Sequence, residues 1–213
     1  MKKNFLFVLL LSISTIVSAQ EAQQKSNLDS KLTFGVKGGY NLSSMTFVNE
    51  KLDSKSYFYL GGLVEYSLSS KVSLQGEVLY TQLGGKMSMP LFQLVGNEVS
   101  EMGTTHYDYQ LSQIQVPISV KYNLIPNLSA SVGMNLGWNI SSKVKTEFLN
   151  DEKHDFEGLN TINLYPFLGA EYKIHNGLFV DARYNFNFIK MNEGKGANVK
   201  VGFLQAGIGY RFK

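Results

Sequence analysis

Residues Leu204-Gln205-Ala206-Gly207-Ile208-Gly209-Tyr210-Arg211-Phe212 decide how the chain is read. Leu204, Ala206, Ile208, Tyr210 and Phe212 fall on one face of an extended strand, and Gln205, Gly207, Gly209 and Arg211 on the other. Period-two alternation of this kind marks a strand with a different medium on each side. A final strand so patterned leaves an edge open unless it pairs with the first strand. Closure into a barrel removes both edges.

Seven segments upstream repeat the pattern, with apolar residues at even positions: Leu32–Leu42, Phe58–Leu68, Val72–Tyr80, Ile114–Tyr122, Leu128–Ile140, Ile162–Ile174 and Leu178–Phe188. Two stretches break phase. Val199, Val201 and Phe203 are apolar at odd positions, which predicts a bulge near Gly202. Tyr107, Tyr109 and Leu111 are out of phase with Ile114, which predicts another bulge or a strand start there. Short connections (69–71, 123–127, 175–177) alternate with mostly long ones (43–56, 83–106, 141–160, 190–197). Eight strands with short turns at one end and long loops at the other form the pattern of an outer-membrane barrel, with turns and both termini in the periplasm.

The 213 residues suffice for one such barrel. No stretch after the first twenty residues approaches the roughly 20 consecutive apolar residues of a membrane helix. Met1-Lys2-Lys3, the apolar run Phe5–Val17 and Val17-Ser18-Ala19 read as a secretory signal peptide, residues 1–19, cleaved after Ala19. Gln20–Lys31 reads as a polar periplasmic tail, and 32–213 as the barrel. With zero cysteines, disulfides, iron–sulfur clusters and thiol catalysis are excluded. Of the 20 basic residues Lys2 and Lys3 belong to the leader, so the rest nearly balances the 17 acidic ones. That balance excludes a nucleic-acid partner.

Polarity separates a membrane barrel from a soluble sandwich or lipocalin-like barrel. Every ionised strand residue is odd-numbered: Lys37, Glu65, Glu77, Lys121, Glu171, Lys173, Asp181, Arg183 and Arg211. Were that face outside in water, Trp138, Phe186, Phe188 and seven tyrosines would overfill an eight-stranded lumen. Lipid on the apolar face removes the conflict and makes the nine charges an interior network, each needing a partner. Tyr66, Tyr122, Tyr172 and Tyr210 at one end, and Tyr40, Tyr80, Trp138 and Tyr184 at the other, would form two interfacial girdles.

The strand Leu111–Leu124 (LSQIQVPISVKYNL) resembles a strand of the Bacteroidota outer-membrane β-barrel domain, the PorT-type family, through Ile114, Val116-Pro117, Lys121 and Tyr122. Phe34-Gly35-Val36-Lys37-Gly38-Gly39-Tyr40-Asn41 and the ending Gly207–Phe212 are similar to the same family. The spacing of Gln205, Gly207, Tyr210 and Phe212 also resembles the signal by which such barrels are recognised for insertion. The resemblance implies an OmpA-like eight-stranded transmembrane barrel without shared catalytic residues, inserted by the barrel-assembly machinery. Some members assist secretion. Gln115 stands where the family usually has Glu, and Lys213 follows the terminal aromatic residue.

Outside the strands, chemistry is sparse. His106 and Asp108 with Ser112 would be the components of a hydrolase group, but no local motif accompanies them. Glu147, Asp151, Glu152, Asp155 and Glu157 are a carboxylate cluster without a known calcium-loop spacing. Met87 and Met89 offer thioethers suited to Cu(I). No cofactor is expected. The apolar run Met87–Val95, with Met87, Met89, Leu91, Phe92 and Leu94, needs cover in a water-exposed loop, from the barrel mouth, another loop or a partner. The expectation is a non-enzymatic structural or interaction protein contacting outer-membrane lipid and an extracellular or secretion-system protein. Its alternatives are a narrow small-solute pore lined by Glu65, Glu77, Lys121, Arg183 and Arg211, and a loop-sited enzyme.

Overall fold

The structure, a computed structural model, describes residues 31–47, 50–95, 98–146, 153–155, 159–186, 188, 191 and 199–212. Residues 1–30, which include the expected signal peptide and almost all of the polar tail, lie outside them. The described residues form ten strands: β1 Leu32–Phe47, β2 Glu50–Lys51, β3 Asp53–Ser67, β4 Val72–Val95, β5 Glu98–Ile125, β6 Leu128–Thr146, β7 Lys153–Asp155, β8 Ile162–His175, β9 Leu178–Asn185 and β10 Val199–Arg211.

Eight long strands run antiparallel round the sheet as β1, β3, β4, β5, β6, β8, β9 and β10, and β10 pairs back with β1. The short β2 and β7 pair only with β1 and β6. At the end that carries both barrel termini the turns are tight. Asn176-Gly177 joins β8 to β9 with φ of 45° and 89°, the left-handed pair of a type I′ hairpin whose twist matches its strands. The opposite end is called the far end below.

Far-end connections are shorter than the sequence suggests, because strands replace loop. Residues 83–95 and 98–106, expected as loop, are one ladder that carries β4 and β5 well past their neighbours. The connection at 190–197 lies outside the described residues apart from Met191.

Through the closed part of the barrel below Ile140, even-numbered strand side chains face outward and odd-numbered ones inward, as the alternation requires. Val132 is 57% exposed and Trp138 42% exposed, while Glu77 and Arg183 are buried within the barrel. Tyr40, Tyr80, Trp138 and Tyr184 lie outside towards the far end, and Tyr122, Tyr172 and Tyr210 outside towards the turn end. Interior bulk is matched strand by strand. Tyr59 occupies the space beside Gly207, and the Phe179 ring the space beside Gly209.

No bulge occurs near Gly202. The β1–β10 register is continuous from Gly35 opposite Arg211 to Phe47 opposite Val199. Val199, Val201 and Phe203 keep the inward phase; what changes is the medium. The far-end half of the lumen is an apolar core of Met45, Leu83, Leu111, Tyr165, Val201 and Phe203 with their neighbours. Tyr109 and Leu111 are likewise inward and in phase. The bulge expected near them falls on β6 instead: Ser112 opposes Ser141 and Gln113 opposes Asn139, leaving Ile140 as the extra residue. Beyond it the facing of β6 inverts, and Val144 packs against the core.

Candidate functional site

From the turn end upwards the lumen has three levels. The first is ionic and consists of two neutral quartets. In one, Lys37 lies 2.5 Å from Asp181 and 3.5 Å from Glu77, and Arg183 lies 2.5 Å from Glu77. In the other, Lys121 reaches Glu65 at 3.0 Å and Glu171 at 2.9 Å, and Arg211 reaches the same carboxylates at 2.8 and 2.7 Å. That second quartet is a closed ring of alternating sign drawn from β3, β5, β8 and β10.

Gln75 joins the quartets. Its Nε2 donates to Glu77 Oε1 at 2.7 Å, and its Oε1 accepts from Lys121 and Arg211 at 3.1 and 3.2 Å. Aromatic faces complete the cation surroundings: the Arg211 guanidinium lies 4.1 Å from the Phe179 ring centre, and that of Arg183 5.2 Å from Phe167. The enclosed space among these groups is about 20 Å³, room for about one water molecule.

Eight of the nine charges singled out in the sequence therefore meet. Lys173 does not. It is half-buried at the turn-end mouth, beside His175 and Gly177, and without it the signs balance four to four.

The second level is neutral. Gln113 Nε2 donates to Asn139 Oδ1 and Tyr165 Oη at 2.7 and 3.0 Å. Gln115 donates to Gln113 Oε1 and accepts from Asn135 and Gln205. The third level is the apolar core. Neither Gln75 nor this amide layer carries a charge, so the charged face did not point to them, and Gln115 stood out only as a departure from the family's usual Glu.

Beyond the core, β4 and β5 project as a bare hairpin. Pairing of β3 with β4 stops at Asp53 opposite Lys86, and pairing of β5 with β6 at Tyr107 opposite Thr146. Among the described residues, β4 past Lys86 and β5 before Tyr107 have no second neighbour. Met102 is an extra residue opposite Leu91 and Phe92, and Gly103 takes φ 141°, a conformation suited to glycine.

Of the apolar residues singled out there, Met87 packs against the core and Leu91 is half-buried. Met89 is exposed, and Phe92 is 63% exposed. Leu94 continues the strand with a side chain outside the described set. Val99 and Met102 are exposed on the facing strand. The run is thus strand, not loop, and among its described side chains Met89 and Phe92 are left uncovered.

The hydrolase trio does not assemble. His106 Nδ1 is 2.9 Å from Ser88 Oγ across the hairpin. Asp108 pairs with Lys55, and Ser112 contacts Gln82. Partial burial opposes the charge on Lys55, but its hydrogen bond to Asp108 and the neighbouring Tyr57 outweigh that and hold its pKa above the ordinary lysine value. Glu147, Asp151, Glu152 and Glu157 lie outside the described residues. Asp155 is described only in its backbone, opposite Lys143.

Comparison with known proteins accords with this geometry. Two solved structures share the fold. The attachment invasion locus protein Ail of Yersinia pestis, solved with the heparin analogue sucrose octasulfate, is 19% identical with a TM-score of 0.55, over 85% of this chain and 99% of that one. Neisserial surface protein A is also 19% identical with a TM-score of 0.55, over 84% of this chain and 97% of that one. A sequence comparison with curated proteins finds no match. The profile of the outer membrane protein beta-barrel domain matches residues 19–193, most of the sequence. The chain belongs to that family of outer-membrane β-barrels.

Proposed function

We propose that this barrel is a sealed, non-enzymatic outer-membrane scaffold that presents the β4–β5 hairpin to a protein partner. On this reading Met1–Ala19 is a signal peptide, the tail after it and the tight turns lie in the periplasm, and the hairpin points out of the cell. The barrel-assembly machinery inserts the chain, and the likeness of the Leu111–Leu124 strand to PorT-type barrels supports assigning it to that branch. The observation carrying the proposal is the projecting hairpin, with both edges unpaired among the described residues and Phe92, Val99 and Met102 exposed. Such an edge accepts an extended segment by adding a strand, with alternate side chains giving selectivity. An accessory role in secretion is one setting in which such a segment is met.

Two observations weigh against the narrow pore. The ionic level encloses room for about one water molecule, and an apolar core closes the lumen above it. Purified protein in planar bilayers is expected to give no discrete conductance steps. The partner reading is tested by photocrosslinking from Phe92 and Val99 in intact cells. One discrete adduct, lost when residues 89–104 are replaced by a short turn while heat-modifiable migration persists, is the expected result. Labelling of lipid alone from both positions would refute it.

A further inference from the structure

At the ionic level the inward side chains change size round the barrel. On β5, β6 and β8 they include Ser119, Ser129, Ser131 and Gly169, which line the enclosed space together with Glu171, Asp181 and Arg183. Register arranges one wall of that space in two rows. Ser129, Glu171 and Asp181 stand side by side on β6, β8 and β9, and Ser131, Gly169 and Arg183 form the next inward row towards the far end. Side chains fill the lumen of an eight-stranded barrel, so a wall of small residues there leaves room only for a small molecule.

Four polar atoms on this wall have no protein partner among the described residues: Glu171 Oε1, Asp181 Oδ1, Ser129 Oγ and Arg183 Nε. Ser129 is 1%, Arg183 4% and Glu171 6% exposed, so bulk water does not serve them, and a buried polar atom left unpaired is costly. The other oxygen of each carboxylate is committed, Glu171 Oε2 to Lys121 and Arg211 and Asp181 Oδ2 to Lys37.

Donors and acceptors select the ligand. The two carboxylate oxygens accept, the guanidinium Nε–H donates, and the hydroxyl does either. A metal cation would suit the carboxylates but would meet the Arg183 Nε–H. It would also leave a buried charge uncompensated, because the two quartets are already neutral. An anion would face two carboxylates. A neutral molecule that donates twice and accepts twice answers all four groups, and a space of about 20 Å³ limits it to the size of water. We propose that Ser129, Glu171, Asp181 and Arg183 bind one structural water molecule, which donates to Glu171 Oε1 and Asp181 Oδ1 and accepts from Ser129 Oγ and Arg183 Nε. Glu171 and Asp181 belong to different quartets, so this water links the two in addition to Gln75. The site is independent of the hairpin, and its failure would leave the partner reading untouched.

The test is a crystal structure of the mature chain, folded in neutral detergent, at a resolution that shows ordered water. A sodium ion has as many electrons as water, so a second crystal is soaked in thallous ion as the probe for a cation. One peak within hydrogen-bonding distance of Glu171 Oε1, Asp181 Oδ1 and Ser129 Oγ, without thallium's anomalous signal, is the expected result. Ser129→Val fills the space and is expected to abolish the peak and lower the urea midpoint, whereas Ser129→Ala leaves the room and keeps the peak on three partners. A thallium signal at the site would make it a cation site and overturn the proposal. So would the absence of a peak in the unaltered protein, the two carboxylate oxygens lying about 2.6 Å apart across a shared proton, or a peak that survives Ser129→Val.

Discussion

Lys121 is 2% exposed and holds two carboxylates, so its removal leaves Glu65 and Glu171 sharing Arg211 alone. Lys121→Met is expected to destabilise the barrel by about 3–5 kcal/mol, because it uncovers a buried charge. Lys121→Met with Glu171→Leu restores a one-to-one Arg211–Glu65 pair and recovers most of the loss. Urea unfolding in lipid vesicles measures both, and a neutral single change would contradict the ring. Gln115 gives a second case. Glu at that position sets a carboxylate oxygen against Gln113 Oε1, whose own Nε2 is committed to Asn139 and Tyr165. Gln115→Glu is expected to cost about 3 kcal/mol in the same assay, for want of a cation at that level. Which residues face inward was legible from their odd numbers. Depth was not, since alternation reports a face and says nothing of distance from the mouth, and so Lys173 was grouped with charges it does not meet.

The last strand shows how far an element can be read in isolation. Its alternation gave facing and closure, and its register with β1 is unbroken. What misled was the assumption that apolar means lipid-facing, which turned Val199, Val201 and Phe203 into evidence for a bulge. The true irregularity at Ile140 has no local signal, because Lys143, Val144 and Lys145 fit either phase until the lumen there is known to be apolar. The strand's two faces differ in tolerance. Gly209→Val meets the Phe179 ring, and overpacking of this kind costs about 1–3 kcal/mol. Ala206→Val, on the outward face, is expected to shift the unfolding midpoint little. Equal effects in a heat-modifiability titration would mean that the facing of β10 is misassigned.

At the scale of the molecule, the sequence carried the architecture because eight segments shared one phase and their connections alternated in length. It did not carry the layering of the lumen into ionic, amide and apolar levels. Those levels depend on cross-strand register, which brings Gln75, Lys121 and Arg211 together from β4, β5 and β10. The β4–β5 hairpin was legible as an apolar run but not as strand, since Pro90 reads as a breaker and only an edge position accommodates it. All of this depends on lipid meeting the even-numbered face. Trp138 is the chain's single tryptophan and lies on that face, so its native fluorescence tests the assignment without any substitution. In vesicles of lipids brominated at graded depths, its emission should be strongly quenched, most by bromines near the interface, and little affected by aqueous iodide. Emission indifferent to bromine at every depth would place Trp138 inside the barrel and contradict the account.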